Sequence, residues 1–464
     1  MSTVLHRPIC ELLGCTYPLV LAGMGGVARS GLAAAVTEAG GFGFLGMVRE
    51  PVSLIRSEVQ IMRARGVQRF GVNLIPAATP PDLLEAQLQV CAEVSVPVVT
   101  LFWDLSAQIV TRLREAGIVV VCQVGSVEEA VAARQAGAHA IIAQGCEAGG
   151  HVRGASPLRE ILPQVVAAVD CPVLAAGGIS DGRDVADVLA LGAQGAVLGT
   201  ALMATHESFA HPYHKRRLLA AKDTDTVLTD MFHINWPRGA KVRVLANSVT
   251  QGEHGDPFRA ERVIIGDENG RPIYLFSTDS PLCSMTGDFE AMALYSGTGV
   301  GRIAAIVSVG ERLQSIIAEA TEILTKQAEL LTPLNELLEA ERAGSRVCLL
   351  TAEEAKDPEL AALVKDIQRD EAHWCSVLTQ AIVRLGGTPS SRIGSFNERA
   401  MAIPDLPERL AFVNRGQGWV VKRLRELLPQ VRDQELRDQL SNMLDAHQTN
   451  IDRVNASLQA PPSK

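Results

Sequence analysis

The side chains with the clearest chemical potential lie in one stretch, Ala143-Gln144-Gly145-Cys146-Glu147-Ala148-Gly149-Gly150-His151. It continues the apolar run 140–142, which indicates a buried parallel strand whose end opens into a loop. Gly149 and Gly150 lack a Cβ, so the backbone can approach a ligand closely there. Imidazole titrates near neutral pH and can donate a hydrogen bond or move a proton. A histidine after two glycines is also common in ordinary turns, so the surrounding elements decide whether His151 marks a site.

Cys146 precedes His151 by five residues, and a Cys and His pair can form a nucleophilic catalyst. The strand end accounts for the position of Cys146 without any reactivity, and we expect none. The chain has nine cysteines without paired CxxC spacing. This pattern predicts neither a disulfide framework nor a zinc site, and we expect most of the cysteines to be buried small hydrophobes.

Strand and helix patterns alternate through the first half of the chain. Apolar strand candidates cover 18–22, 42–46, 70–74, 96–102, 118–124, 139–144, 172–176 and 196–199. Helical stretches lie between them and end in Ala-Gly or Gly-Ala pairs, which are typical helix stops. Eight such units predict an α/β fold, a closed (β/α)8 TIM barrel, with a doubly wound open sheet as the alternative.

Glycines follow the last two strand candidates. Gly177 and Gly178 come after strand seven, and Gly199 and Thr200 come after strand eight. In such barrels the active site lies at the carboxyl ends of the strands, and phosphate is often held after strands seven and eight. Backbone N–H groups in these two turns could therefore hold a phosphate dianion.

Several segments of the chain resemble the nitronate monooxygenase family, formerly called 2-nitropropane dioxygenase. The matching segments are Leu12-Leu13-Gly14, Ala22-Gly23-Met24-Gly25-Gly26, Gly71-Val72-Asn73-Leu74, Cys122-Gln123-Val124, Glu147-Ala148-Gly149-Gly150-His151, Ala176-Gly177-Gly178-Ile179, Gly199-Thr200 and 286–297. They occur in the right order over about the first two thirds of the chain. The resemblance implies an FMN-dependent barrel enzyme that oxidises alkyl nitronates with dioxygen to carbonyl compounds and nitrite, with no metal.

The same resemblance implies roles for individual residues. His151 would be the catalytic residue beside the reactive face of the flavin, either holding the anionic nitronate or acting as general base on a neutral nitroalkane. The implied flavin-site residues are Ala22, Gly23 and Met24 lining the flavin, Asn73 and Gln123 hydrogen-bonding it, Gln144, Gly149 and Gly150 bordering it, and Gly177, Gly178, Gly199 and Thr200 binding its phosphate.

Two departures from the family pattern keep other functions open. Strand eight ends in Val197-Leu198-Gly199-Thr200 where the family commonly has Gln-x-Gly-Thr, and Val152 directly follows His151 where many members have Arg-Gly. The Glu-Ala-Gly-Gly-His run also occurs in flavin-dependent enoyl reductases, so the alternative function is reduction of an enoyl thioester or quinone with NAD(P)H. A flavin-binding sensor or scaffold without turnover is a third interpretation.

Composition and charge narrow the function classes. The chain has 464 residues and a net charge of −9, so two domains are expected and no basic footprint for nucleic acid is present. Its apolar runs are too short to span a bilayer, and its first residues lack the apolar core of a signal peptide. We therefore expect a cytoplasmic enzyme that acts on a small molecule and dioxygen.

The segment between the barrel and the C-terminal region carries few helix signals. Residues 223–281, with Trp236-Pro237-Arg238-Gly239, are expected to form an excursion that covers the barrel mouth. His206, His211 and His214 are expected to be surface or helix-end residues rather than metal ligands.

The C-terminal region has a different pattern. Residues 303–331 are helical in spacing, and Thr332-Pro333 is a predicted helix start after a domain joint, dividing a 1–325 barrel domain from a 334–460 domain. Amphipathic segments 335–350, 358–385, 406–428 and 434–458 predict a four-helix bundle, suited to oligomerisation or a partner contact.

The predicted bundle is distantly similar to the ferritin-like family. Its polar candidates are Glu341, Asp370, Glu371, His373, Asp445 and His447. Asp370 and His373 are three apart and could share one helix face. The third helix offers Asn414 and Gln417 where that family has a glutamate, so we expect solvated or core-satisfied polar residues and no metal.

Overall fold

The computed structural model describes residues 4–259, 261–393 and 395–459. Two compact units divide the chain, Met1–Ile323 and Leu324–Lys464, and the division falls inside one long helix, α11 (Val309–Glu354).

The first unit is built around eight parallel strands that close into a barrel. These are β1 (Leu19–Leu21), β2 (Phe44–Gly46), β3 (Gly71–Leu74), β4 (Val98–Phe102), β5 (Val119–Val124), β6 (Ala140–Gln144), β8 (Val173–Ala176) and β9 (Gly195–Leu198), with the short β7 (Gly150–Val152) outside the barrel. Their order is β1-β9-β8-β6-β5-β4-β3-β2, and a parallel bridge between Val20 and Phe42 joins the two ends. The predicted closed barrel is confirmed, and the open-sheet alternative is wrong.

Helices alternate with the barrel strands. They are α1 (Pro8–Leu13), α2 (Ser30–Glu38), α3 (Val52–Ala64), α4 (Pro81–Glu93), α5 (Ala107–Glu115), α6 (Val127–Gln135), α7 (Leu158–Ala168), α8 (Gly182–Ala190), α9 (Thr200–Met203) and α10 (Pro212–Ala220). The Asp181 side chain caps α8 by accepting a hydrogen bond from the Asp184 N–H at 2.9 Å. Gly137, after α6, has φ +104°, a conformation that explains the glycine stops in the sequence.

The excursion after the barrel forms two small antiparallel sheets. One contains β10 (Thr226–Thr229), β11 (Lys241–Leu245) and β7, and the other contains β12 (Ile264–Glu268), β13 (Arg271–Tyr274) and β14 (Met285–Gly287). Because β11 pairs with β7, which follows the carboxyl end of β6, the excursion lies at the barrel mouth as expected. The sequence pattern does not predict these strands because they are short and carry many polar residues.

The second unit is helical. It contains the C-terminal part of α11, then α12 (Pro358–Arg384), α13 (Phe396–Met401), α14 (Leu406–Leu427) and α15 (Gln434–Gln459). The predicted helix start at Thr332-Pro333 is wrong, because Pro333 lies inside the continuous helix α11. A proline there loses one backbone hydrogen bond, and burial of Leu334 and Leu337 nearby offsets that loss.

In the described ranges, no helix combines the length and apolar character that a membrane span requires.

Candidate active site

A cavity of about 1040 Å³ opens at the carboxyl ends of the barrel strands. This is the edge at which TIM-barrel enzymes build their active sites. Every site residue predicted from the sequence lines it: Ala22, Gly23, Met24, Asn73, Gln123, Gln144, Gly149, Gly150, His151, Gly177, Gly178, Gly199 and Thr200. The structure therefore brings together residues that are spread along the chain from Ala22 to Thr200.

Gln144, the last residue of β6, holds the backbone that carries His151. Its Nε2 donates to the His151 carbonyl at 2.8 Å, and its Oε1 accepts from the Arg153 N–H at 3.0 Å. His151 lies in β7, where it pairs with Val242 of β11. The sequence predicts a loop at His151 rather than a strand, because β11, the partner strand of β7, lies far along the chain. The His151 imidazole therefore projects from a short strand that is held by the Gln144 side chain and by pairing with β11.

The His151 ring lies among aromatic side chains. Its centroid is 3.4 Å from the Trp236 ring and 5.5 Å from the Tyr295 ring. The Nε2 atom is buried and has no hydrogen-bond partner among the residues described. Burial and, to a smaller extent, the positive charge of Arg49 lower the pKa of His151 to about 3. The imidazole is therefore neutral at pH 7.

Gly149 and Gly23 lie where neighbouring parts of the cavity wall approach too closely for a side chain. A Cβ at Gly149 would lie 2.5 Å from the backbone N of Gly297, and a Cβ at Gly23 would lie 2.3 Å from the Cβ of Asn73. Real Cβ atoms do not approach other atoms this closely, so each glycine is needed for steric reasons. Asn73 itself is buried, and its Oδ1 has no partner in the described part of the chain. This amide oxygen is available to a ligand.

The loops after β8 and β9 line the cavity beside the segment that carries Gly149. Gly177 and Gly178 have φ +125° and +69°, conformations that favour glycine. Thr200 opens α9, and its hydroxyl accepts from the Gly297 N–H at 2.9 Å, so the hydroxyl hydrogen is free to donate elsewhere. Backbone turns of this kind beside a helix start suit an anionic group.

Three residues at the mouth were missed by sequence analysis. Arg49 follows β2, has φ +58°, and donates to the Asn235 carbonyl at 3.2 Å. Trp236 and Tyr295 flank His151. Arg49 could have been identified from the sequence, because it lies just beyond the carboxyl end of a barrel strand. Tyr295 belongs to the 286–297 segment that resembles the family, but Trp236 lies in the excursion, where the sequence gives no contact information.

The other chemical candidates have structural roles. Burial raises the pKa of the Cys146 thiol, which disfavours the reactive thiolate. His206 is exposed and His211 caps α10 through the Tyr213 N–H, as expected. His214 lies in the first turn of α10 and so at a helix end, but it is fully buried rather than on the surface, with its Nε2 3.0 Å from the Tyr295 carbonyl.

The cysteines are less buried than expected. Those that are fully buried are Cys10, Cys91, Cys122 and Cys348. The remaining cysteines are partly buried, apart from Cys283, which is exposed. The expectation that most are buried is therefore wrong.

In the second unit, Asp370 and His373 do not form a shared site, in line with the expectation of solvated or satisfied polar residues at these two positions. His373 is exposed, whereas Asp370 accepts from Asn450 Nδ2 at 2.9 Å.

Comparison with protein families gives two matches. The model of nitronate monooxygenase matches residues 6–319, and that of a domain of unknown function (DUF6306) matches residues 328–456. A probable nitronate monooxygenase of Staphylococcus aureus (strain Newman) is 28% identical over 361 residues, covering 68% of this chain and 98% of the relative. One from Staphylococcus haemolyticus (strain JCSC1435) is 31% identical over 278 residues, covering 50% and 78%.

Solved structures agree with this assignment. Nitroalkane oxidase from Streptomyces ansochromogenes is 33% identical with a TM-score of 0.55, over 68% of this chain and 98% of that one. FabK from Thermotoga maritima is 30% identical with a TM-score of 0.61, over 70% and 99%. The family match covers well over half of the chain and contains the whole cavity. The chain belongs to the nitronate monooxygenase family and is therefore a flavin-dependent oxidoreductase.

Proposed function

We propose that this enzyme uses FMN to oxidise alkyl nitronates with dioxygen, giving carbonyl compounds and nitrite. The observation that carries the proposal is the state of His151, a neutral imidazole with a buried, unpartnered Nε2 in the cavity wall. A nitronate is already an anion, so it needs a hydrogen-bond donor rather than a strong base.

The residues present fit FMN. The cavity volume suits a nucleotide-sized ligand. We assign Asn73 and Gln123 to hydrogen bonds with the flavin ring, and the unpartnered Oδ1 of Asn73 supports this assignment. Its phosphate would be held by backbone amides and a hydroxyl at Gly177, Gly178, Gly199 and Thr200, with the ring bordered by Ala22, Gly23, Met24, Gln144, Gly149 and Gly150. When bound, FMN supplies the electron transfer and the reaction with dioxygen.

The protein's own contribution is orientation and charge. His151 donates a hydrogen bond from Nε2 to a nitronate oxygen, and Arg49 adds a positive potential, since its charge already acts on His151. Trp236 and Tyr295 shield this contact from water. A base with a pKa of about 3 removes protons from carbon acids poorly. We therefore favour preformed nitronates over neutral nitroalkanes as substrates.

Oxygen uptake with a simple alkyl nitronate tests the proposal. We expect the yellow, FMN-loaded protein to consume oxygen and release nitrite. His151→Ala should keep its FMN and lose uptake, whereas His206→Ala, which alters an exposed histidine, should be unchanged. Full uptake by His151→Ala would refute the role of His151, and absence of uptake by the wild type would refute the nitronate activity.

Reduction of an enoyl thioester with NAD(P)H is the second candidate. It is favoured by the fold similarity to FabK, which is as extensive as the similarity to the nitroalkane oxidase. Anaerobic incubation with NAD(P)H and an unsaturated thioester separates the two functions. Rapid nicotinamide oxidation there, without nitronate turnover, would replace the first proposal by the second. Cytoplasmic location and oligomerisation through the bundle stay predictions.

A further inference from the structure

The helical unit contains a polar layer between two apolar layers. One apolar cluster includes Leu338, Trp374, Val420 and Met443, and the other includes Val347, Ile367, Val413 and Val454. On each of the four long helices, a buried polar side chain lies between the members of these two clusters: Glu341 on α11, Glu371 on α12, Gln417 on α14 and His447 on α15. Asn450, one turn after His447 on α15, is also buried there, but its amide donates to Asp370 Oδ2 at 2.9 Å. Each helix thus contributes at least one polar side chain to this layer.

These four side chains are buried but not satisfied. Their exposed fractions are 1%, 3%, 2% and 1% in the order given. Within the described part of the chain, hydrogen-bond partners are absent for Oε2 of each glutamate, both terminal atoms of Gln417 and both ring nitrogens of His447. Each buried polar atom without a partner costs about 1 to 3 kcal/mol. The expectation of core-satisfied polar residues is therefore wrong for this layer.

The contacts show that the groups converge. His447 Nε2 lies 3.1 Å from Glu341 Oε1. A Cβ at Gly344, one turn after Glu341 on α11, would lie 2.5 Å from Glu371 Oε1, so Gly344 makes room for that carboxylate. Glu341 lies close enough to Glu371 for the two carboxyl groups to act on each other electrostatically. The two carboxyl groups therefore lie near each other, with the imidazole of His447 beside Glu341. Glu371 also has a hydrogen bond with the Cys348 thiol, and in the described ranges it forms no salt bridge.

We propose that this layer binds one divalent first-row transition-metal ion through Glu341, Glu371, Gln417 and His447. Two carboxylate oxygens, one amide oxygen and one imidazole nitrogen make four acceptor ligands, one from each helix. Two negative charges balance the ion, and the imidazole favours a transition metal over calcium or magnesium. The ion would use acceptor atoms that otherwise have no partner.

The observed spacing is compatible with coordination. Ligands about 2.0 to 2.1 Å from a tetrahedral ion lie about 3.3 Å from each other, close to the 3.1 Å between His447 Nε2 and Glu341 Oε1. Among the residues described, no three His, Cys, Asp or Glu side chains are yet arranged to hold a metal. Binding therefore requires Glu371 and Gln417 to rotate inward. Four protein ligands leave no open position, so the ion would stabilise the bundle rather than bind substrate.

Cobalt titration of the full-length protein tests the proposal. Metal is removed with a chelator, Co²⁺ is added, and its visible absorption is followed at wavelengths where flavin does not absorb. We expect one Co²⁺ per chain with the bands of a four-coordinate site, displaced by Zn²⁺. Glu371→Gln and His447→Asn should weaken binding by about 100-fold. His373→Ala and Asp445→Asn change exposed residues on the same two helices and should bind as the wild type does.

The outcomes separate the alternatives. Flavin content is measured in every variant, and we expect it to be unchanged, so a failure here would not bear on the proposed nitronate activity. Circular dichroism confirms that the variants are folded. Absence of stoichiometric Co²⁺ binding by the wild type would overturn the proposal, with water left to fill the layer. Co²⁺ binding that is unchanged in Glu371→Gln and His447→Asn, or that is lost in His373→Ala, would also overturn the proposal.

Discussion

Replacing Gln144 by methionine tests whether one side chain positions the His151 strand. Methionine has a similar length and volume but cannot hydrogen-bond to the His151 carbonyl or the Arg153 N–H. Each net hydrogen bond contributes about 1 kcal/mol, and a buried group left without a partner costs up to about 3 kcal/mol. Because both backbone groups are partly buried, we expect a total destabilisation of about 2 to 4 kcal/mol.

The destabilisation has a thermal and a kinetic consequence. For a barrel unit of this size we expect the unfolding midpoint without added FMN to fall by about 3 to 6 °C. Loss of the two hydrogen bonds also releases β7, and a displacement of the imidazole by about 1 Å is expected to lower kcat by about 100-fold. Both quantities are measurable on one preparation, by thermal unfolding and by oxygen uptake with an alkyl nitronate.

Gln123→Met is the matched control. Gln123 lines the same cavity from β5, and across the described residues its side chain makes no hydrogen bond within the protein. We expect weaker FMN binding but little change in the midpoint of the flavin-free protein. If Gln144→Met keeps both the wild-type midpoint and the wild-type kcat, the account of how His151 is positioned is refuted.

Two further predictions concern packing and pH. Gly149→Ala should clash with the Gly297 backbone and lower the free energy of unfolding by about 1 to 3 kcal/mol, measured by thermal unfolding. Gly418→Ala is the control, because a Cβ there has nothing within 4 Å and should not destabilise the protein. Equal unfolding midpoints for the two variants would contradict the close approach of Gly149 to Gly297. Burial lowers the pKa of His214 to about 4, so the unfolded chain takes up the proton first and stability is lost as pH falls below about 6.5. Denaturant unfolding should show that the wild type loses about 2.5 kcal/mol more than His214→Gln between about pH 7 and 4.5; parallel losses would exclude His214 as the cause.

Much of the barrel and its site could be predicted because local pattern and position coincide there. Buried parallel strands contain continuous apolar runs, such as Val119 to Cys122, and their carboxyl ends must meet at one edge. Asn73 and Gln123 could therefore be placed beside His151 from strand position and family resemblance alone.

The remaining features depend on contacts between distant parts of the chain. The β7 strand depends on its pairing with β11, and the contact between the Trp236 and His151 rings depends on the path of the excursion. In the bundle, the sequence did not determine which side of each helix faces the core. Glu371 lies four residues after the buried Ile367 and faces the core, whereas His373, two residues later, points to another side and is exposed.

The most direct test of the central claim compares the binding of FMN and riboflavin to the flavin-free protein. The claim is that the turns at Gly177 and Gly199 hold the phosphate of a flavin whose ring faces His151. We predict one FMN per chain and riboflavin binding weaker by about 100-fold or more, since a phosphate at such turns makes several charge-assisted hydrogen bonds. Equal affinity for the two flavins, or a folded protein that binds neither, would contradict the claim.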